Sequence, residues 1–159
     1  MMGVLQAFKL SLLLPSKKAV FQLNRIKTKD FFLYILLLHL LLGLPGAISM
    51  LIEFIKKGEM DGSLLLGVTL YPFLIVTFGI VGISSLAAVG LMITTVLKRR
   101  LVYQLLWKMA MYASTTSIVL YTIIDLLGMI NWVVNSLLLL LFVFTLTKMI
   151  LVYPKMKTK

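Results

Sequence analysis

The chain has 159 residues, of which 61% are hydrophobic and only 13% are charged, and its mean hydropathy is +1.07. Soluble domains carry about 25% charged residues, so this composition excludes an ordinary water-soluble protein and indicates a single membrane domain over residues 1–159. The net charge of +11 does not indicate nucleic-acid binding, because the basic residues flank apolar runs instead of lining a polar surface.

Residues 1–30 are predicted to stay in the cytoplasm, because they carry six basic residues against one acid. Within them, residues 3–14 are predicted to form an interfacial helix with Leu5, Phe8 and Leu12 on one stripe. The alternative for this segment is a partly ordered tail whose periodicity arises by chance.

Four apolar runs predict four transmembrane helices, since a helix needs about 20 apolar residues to cross a hydrocarbon core of about 30 Å. We place the spans at residues 31–55, 73–97, 102–127 and 132–153. The predicted fold class is therefore all-α, a polytopic membrane helical bundle of four transmembrane helices with an N-terminal interfacial helix.

The second apolar run, residues 64–97, is too long for one upright span, because a helix of about 34 residues would reach about 51 Å. We expect a break near Tyr71 and Pro72, with residues 64–70 forming a short outer interfacial or re-entrant piece. In the first span, Pro45 predicts a kink, because proline removes a helix hydrogen bond.

The basic triplet at residues 98–100 orients these spans, because basic loops of membrane proteins stay in the cytoplasm. With the triplet and both termini inside, 14 basic residues fall inside and two outside, while the acids divide into one inside and four outside. This asymmetry predicts a multi-pass protein of the bacterial plasma membrane with both termini cytoplasmic. Anionic lipid headgroups are the expected partners of the inner basic residues. The predicted headgroup contacts are Lys17, Lys18, Arg25, Lys98, Arg99 and Arg100.

Ionisable residues inside the predicted spans are the default functional candidates, and they are His39, Lys108, Asp125 and Lys148. Lys108 and Lys148 lie near the inner boundary, where a long side chain can reach the headgroups. Asp125 is expected at the outer headgroup level or paired with a base on a neighbouring subunit, and a proton or substrate role is the alternative. His39 is expected to hydrogen-bond a Ser or Thr of another span, and a proton relay is the alternative.

Pairs of small residues four positions apart predict close helix packing. The pairs are Gly43 and Ala47, Ser84 and Ala88, Ala110 and Ser114, and Ala113 and Ser117. They predict that the second and third spans form the interior of the bundle, whereas the leucine-rich fourth span faces lipid or a partner.

The sequence contains no known catalytic constellation. The absence of cysteine excludes disulfides and thiolate metal sites, and one histidine with scattered acids predicts neither a zinc site nor a catalytic carboxylate pair. There is also no Gly-rich phosphate loop and no nucleophile elbow. We therefore expect no cofactor and no enzymatic activity. With so few polar residues, four spans are also expected to enclose no obvious solute pathway.

Two stretches resemble a domain-of-unknown-function family of Gram-positive bacterial membrane proteins that includes the maltodextrin-utilisation protein MalA. The stretches are Ser11 to Lys18, followed by Phe21 and Arg25, and Tyr103 to Ala113, leading to Asp125 to Gly128. The resemblance implies an association with carbohydrate uptake. Members of that family usually carry a sizeable extracytoplasmic region between the first two spans, where this chain has only residues 56–63.

The leading hypothesis from the sequence is a non-enzymatic accessory or scaffold subunit of a bacterial membrane protein complex. It would bind another integral membrane protein, or a second copy of itself, through helix packing. The alternative is a small oligomeric transporter or channel, and an intramembrane enzyme ranks third.

Overall fold

A computed structural model describes residues 3–58 and 61–155, and these residues form six helices. The helices are α1 (Val4–Leu12), α2 (Lys17–Asn24), α3 (Thr28–Lys57), α4 (Gly62–Val96), α5 (Tyr103–Leu126) and α6 (Trp132–Leu151). Helices α3 to α6 are long and apolar enough to cross a membrane, which confirms the predicted all-α bundle of four transmembrane helices. Glu59 of the predicted outer loop and Lys157 and Lys159 of the predicted tail lie outside the described residues.

The α4 helix differs from the expected break near Tyr71 and Pro72, because it continues through both residues from Gly62 to Val96. A bilayer offers no water to unpaired backbone groups, so the chain keeps its helical hydrogen bonds on both sides of the proline. At 35 residues, α4 is about 52 Å long. Even at a tilt of about 40° it would span roughly 40 Å, so part of α4 extends beyond a core of about 30 Å.

The N-terminus of α4 is fixed by Asp61, whose carboxylate accepts hydrogen bonds from the Leu64 backbone N–H at 2.8 Å and the Ser63 hydroxyl at 2.7 Å. The same carboxylate pairs with the Lys57 ammonium at 2.8 Å, and Lys57 also pairs with Glu53. Lys57 and the two other donors hold the pKa of Asp61 well below its usual range. These contacts close the connection between α3 and α4.

The centre of the bundle is α5, which contacts each of the other five helices. In the most apolar 18-residue window of α5, 44% of the residues are buried, against 33% in α6 and only 6% in α4. The third span is therefore interior, as predicted, but the prediction that the second span is interior is wrong. Two glycines of α4, Gly67 and Gly79, face α3, whereas Gly90 faces α5 and α6 and Gly82 faces no neighbour.

The two N-terminal helices pack on the end of the bundle where α3 begins and α4 ends. Ala7 and Ser11 of α1 are fully buried against α3 and α5, whereas Leu5 and Leu12 are exposed. The α2 helix, which the sequence analysis did not predict, begins at the Ser16 cap and also contacts α5. We call this end of the bundle the inner end, and the end with the α3–α4 and α5–α6 connections the outer end.

Glycines line the antiparallel contact between α3 and α4, which we call the glycine seam. A Cβ at Gly79 would collide with the His39 ring, and one at Gly46 would collide with the Tyr71 hydroxyl. Along the rest of the seam, a Cβ at Gly43 would lie 3.6 Å from Ile75 and one at Gly67 would lie 3.5 Å from Met50, which are ordinary van der Waals distances. Small residues at these positions let the two backbones approach closely along most of their length.

Replacing Gly79 with alanine is expected to destabilise the protein, because the new methyl group would displace the buried His39 ring or separate α3 from α4. Overpacking of this kind costs roughly 1 to 3 kcal/mol. Thermal unfolding of the purified protein in detergent would measure the loss.

Gly82→Ala is the matched control, since a Cβ at Gly82 meets nothing within 4 Å and alanine favours a helix by about 1 kcal/mol. Equal melting temperatures for Gly79→Ala and Gly82→Ala would contradict the seam.

Candidate functional site

The structure brings the predicted basic residues together at the inner end. Lys98 follows the end of α4 and has the left-handed conformation with φ of 52°, which turns the triplet away from the helix axis. The Arg99 backbone then pairs with Lys155. On the other side of the same chain segment, the Tyr153 hydroxyl accepts a hydrogen bond from Asn24 of α2. The triplet, the C-terminal segment and α2 therefore lie at the same end of the bundle. We call the basic residues of this end the basic face, namely Lys17, Lys18, Arg25, Lys98, Arg99 and Arg100. All are exposed except Arg99, which is half-buried.

Two of the ionisable residues of the predicted spans lie over aromatic rings. The Lys108 ammonium is 5.5 Å from the centre of the Phe31 ring, and the Lys148 ammonium is 5.5 Å from the centre of the Phe144 ring. Such cation–π contacts stabilise an ammonium group that is partly removed from water. Neither lysine forms an ion pair with Asp125 in the described part of the chain.

Asp125 lies at the outer end, in a small cleft of about 270 Å³ between the end of α5 and the segment Pro45 to Ile52 of α3. His39 lies elsewhere, in the larger cavity described below. The structure thus separates the two residues, as their predicted depths require.

The cleft lies next to a helix defect that the structure repairs. Proline has no N–H, so Pro45 leaves the Leu41 carbonyl without its usual helical donor. The Thr122 hydroxyl of α5 donates to this carbonyl at 3.1 Å, while also approaching its own Ile118 carbonyl at 2.9 Å. Thr122 is buried, so it ties α5 to α3 at the proline.

Thr122→Val is expected to destabilise the protein by about 1 kcal/mol, because it leaves the Leu41 carbonyl unpaired in an apolar setting. Thr145→Val is the control, since the equally buried Thr145 donates only to Leu141 of its own helix.

A second prediction isolates the cause. In a Pro45→Ala background, residue 45 regains its N–H for the Leu41 carbonyl, so Thr122→Val should then have a smaller effect on thermal unfolding. The same loss in both backgrounds would contradict the repair.

A cavity of about 630 Å³ lies between the helices, and all four transmembrane helices line it. Its wall on α5 runs from Met111 to Tyr121, and its wall on α6 runs from Asn135 to Phe142. Most of the lining is apolar, from leucine, isoleucine and phenylalanine side chains. The size falls within the range of about 300 to 1,000 Å³ of small-molecule sites, so this cavity is the candidate functional site.

His39 lines the cavity and is only 6% exposed. The hydrogen bond from Thr122 to the nearby Leu41 carbonyl places His39 beside the outer part of the α5 wall. Its Nδ1 is 2.8 Å from the Ile35 carbonyl of its own helix, so this nitrogen carries the hydrogen and donates. The Nε2 atom is buried, faces Gly79 and has no hydrogen-bond partner among the described residues. The hydrogen bond that the sequence analysis expects to a Ser or Thr of another helix is thus replaced by one within α3.

Further polar side chains lie in the part of the cavity that faces the outer end of the bundle. The lining there includes Tyr121 and the exposed Asn135, which follows the start of α6 by one turn. Tyr71 donates to the Gly43 carbonyl at 3.0 Å on the α3–α4 side. The cavity therefore has an apolar interior and a polar outer rim.

A family described as "protein of unknown function" (DUF1189) matches residues 63–152, more than half of the chain. The chain belongs to the DUF1189 family. This confirms the resemblance to a domain-of-unknown-function family. No curated protein and no solved structure matches the chain.

The DUF1189 match begins at the start of α4 and ends just after α6. It therefore covers three of the four cavity walls, and His39 on α3 lies outside it. Of the two stretches that carried the resemblance, the one from Tyr103 lies within the matched region and the one from Ser11 lies outside it.

Most residues of the cavity lining are not ionisable, so His39 is the one sequence-based candidate among them. Asn135 is a polar residue inside a predicted span, so its sequence position was a usable signal. Gly79 also had a signal in the sequence, because it belongs to a series with a four-residue spacing on one helix face, Gly67, Tyr71, Ile75 and Gly79. The divergence of α4 from α6 has no comparable signal, because it depends on how whole helices pack.

Proposed function

We propose that this DUF1189 protein is a non-enzymatic accessory or scaffold subunit that docks a transmembrane helix of another integral membrane protein on α4. The observation that carries the proposal is the exposure of α4, since only 6% of its most apolar window is buried within the chain. The helix is held by α3 and α5 on one side and leaves its other side free for a partner.

The free side of α4 carries residues that suit helix docking. Ser85 and Ala88 are exposed one turn apart, and small side chains allow a second helix to approach closely. The Ser85 hydroxyl already donates to the Val81 carbonyl at 2.9 Å, so covering it leaves no donor unpaired. A partner helix there would replace lipid without burying an unsatisfied polar group.

The outer end of the α3–α4 pair supplies further apolar surface. The end of α5, at Leu126, lies beside Ile48 and Ile52 of α3, so the last turn of α3 extends past α5. Ile55 is 69% exposed there, and Leu66 on α4 is 62% exposed. Exposed apolar side chains beyond the bundle favour an interaction surface.

The basic face supports the proposed orientation. Basic segments of membrane proteins remain in the cytoplasm, so we propose that the inner end and both termini lie on the cytoplasmic side of a bacterial plasma membrane. The basic face then contacts anionic headgroups, which fixes the height at which α4 is presented. The link to carbohydrate uptake is proposed from the family resemblance alone.

A small oligomeric transporter is the second candidate function, and the cavity between the helices is the observation that favours it. Flux of a solute in liposomes that is abolished by His39→Ala or Asp125→Ala would support transport and would overturn the accessory role.

The accessory role is tested by placing a photo-crosslinking amino acid on α4, at Ser85 or Ala88, in native membranes. We expect a discrete protein adduct from these positions, because they face the docked helix. The matched control is Leu140 on α6, which is 64% exposed and lies away from α4, and it should give no such adduct.

A bulky residue should then compete with the partner. Ala88→Leu is expected to abolish the adduct from position 85, whereas Ser136→Leu on the exposed side of α6 should leave it unchanged. The mass of the adduct tells another protein from a second copy of the chain. Adducts only with lipid, or equal adducts from α4 and Leu140, would overturn the proposal.

A further inference from the structure

We propose that the cavity between α4 and α6 is a lipid site that holds one acyl chain of a glycerophospholipid from the leaflet at the outer end. This site is distinct from the proposed helix-docking side of α4. Four properties of the cavity support it: where it opens, how large it is, how long it is, and where its polar groups lie.

The cavity opens sideways to the bilayer. Helices α4 and α6 come together towards the inner end, where a Cβ at Gly90 would lie 3.3 Å from the Leu146 side chain. Further out they diverge, and the lining residues Phe78 on α4 and Leu139 on α6 are 69% and 53% exposed. Because these half-exposed side chains border both the cavity and the membrane surface of the bundle, a molecule can enter between them from the lipid phase.

The volume decides between two classes of occupant. A transmembrane helix of 20 residues, about 10 Å wide and 30 Å long, fills roughly 2,400 Å³. The cavity offers about 630 Å³, so a partner helix can lie across its mouth but cannot occupy it. A slender apolar chain can occupy the cavity.

The length also fits one chain of one leaflet. The α5 wall from Met111 to Tyr121 is about 15 Å long at 1.5 Å per residue. Half of a hydrocarbon core of about 30 Å is also about 15 Å. An acyl chain lying along α5 from the outer rim would therefore end near the bilayer midplane, at the depth of Met111.

The polar groups lie where a lipid backbone would place its ester oxygens. Asn135, one turn into α6, carries an exposed amide at the outer rim, and an amide N–H donates readily to an ester carbonyl. His39 lies at a similar depth on α3, because Thr122 of α5 contacts Leu41 and Ser117 of α5 contacts Leu138 of α6. Deeper in the cavity the lining is apolar apart from Ser114 and Ser117, whose hydroxyls already donate to backbone carbonyls.

The test uses the purified full chain in phosphatidylcholine vesicles that contain a small fraction of phosphatidylcholine with a photoactivatable diazirine in one acyl chain. A zwitterionic lipid is used because an anionic one would also bind the basic face. Mass spectrometry after illumination should find labels enriched at least five-fold on accessible cavity residues, such as the half-buried Ile118, over the lipid-facing Leu140.

Leu139→Trp is the blocking variant, because an indole at the mouth obstructs entry, and Leu140→Trp is its control. Both positions are mostly exposed, so neither has a packed core to lose, and both proteins should retain wild-type circular dichroism and thermal unfolding. We expect Leu139→Trp to reduce labelling of Ile118 at least five-fold and Leu140→Trp to leave it unchanged.

A second variant fills the cavity from within. Ser117→Leu adds bulk to the α5 wall, and Ser136→Leu makes the same change outside the cavity, so the first alone should reduce labelling. Labelling of Ile118 at the level of Leu140, or labelling that neither Leu139→Trp nor Ser117→Leu reduces, would overturn the proposal. Loss of the α4 protein adduct with retained Ile118 labelling would instead reject the accessory role and leave the lipid site standing.

Discussion

The architecture depends on one constraint, which is that a backbone carbonyl or N–H in lipid must find its partner inside the protein. This constraint explains why α4 remains a single helix through Pro72, although its length exceeds the hydrocarbon core. It also explains why a hydroxyl from another helix, that of Thr122, lies against the carbonyl that Pro45 leaves free. In water either proline could end its helix, because water would pair the exposed groups.

The glycine seam and the position of α5 together produce the cavity. The seam holds α3 and α4 so close together that the His39 ring lies directly against Gly79. Helix α5 packs on both of these helices. The sixth helix then packs on α5 along much of its length but meets α4 mainly near Gly90. The space between α4 and α6 is therefore a consequence of pairing α4 tightly with one neighbour, and it needs no special lining to form.

The sequence predicted the features that depend on composition along the chain. Hydropathy located the four membrane helices, and the triplet at residues 98–100 correctly indicated that the basic segments share one end, since Arg99 pairs with Lys155. What the sequence did not predict depends on contacts between distant segments. The hydroxyl that pairs with the carbonyl left free by Pro45 comes from α5, which is distant in the sequence. The small residues of α4 did not indicate how many helices they would face.

The two proposals concern different residues of α4. Glycines of the helix pack on α3, residues such as Phe78 and Gly82 line the cavity, and Ser85 and Ala88 are exposed outside that lining. An acyl chain in the cavity would fill the space that α6 leaves, so α4 would be supported there as well as by α3, and its exposed residues would keep a fixed direction. Because a helix held this way loses less freedom when a partner binds, filling the cavity favours docking, even though the lipid and the partner never touch the same residues.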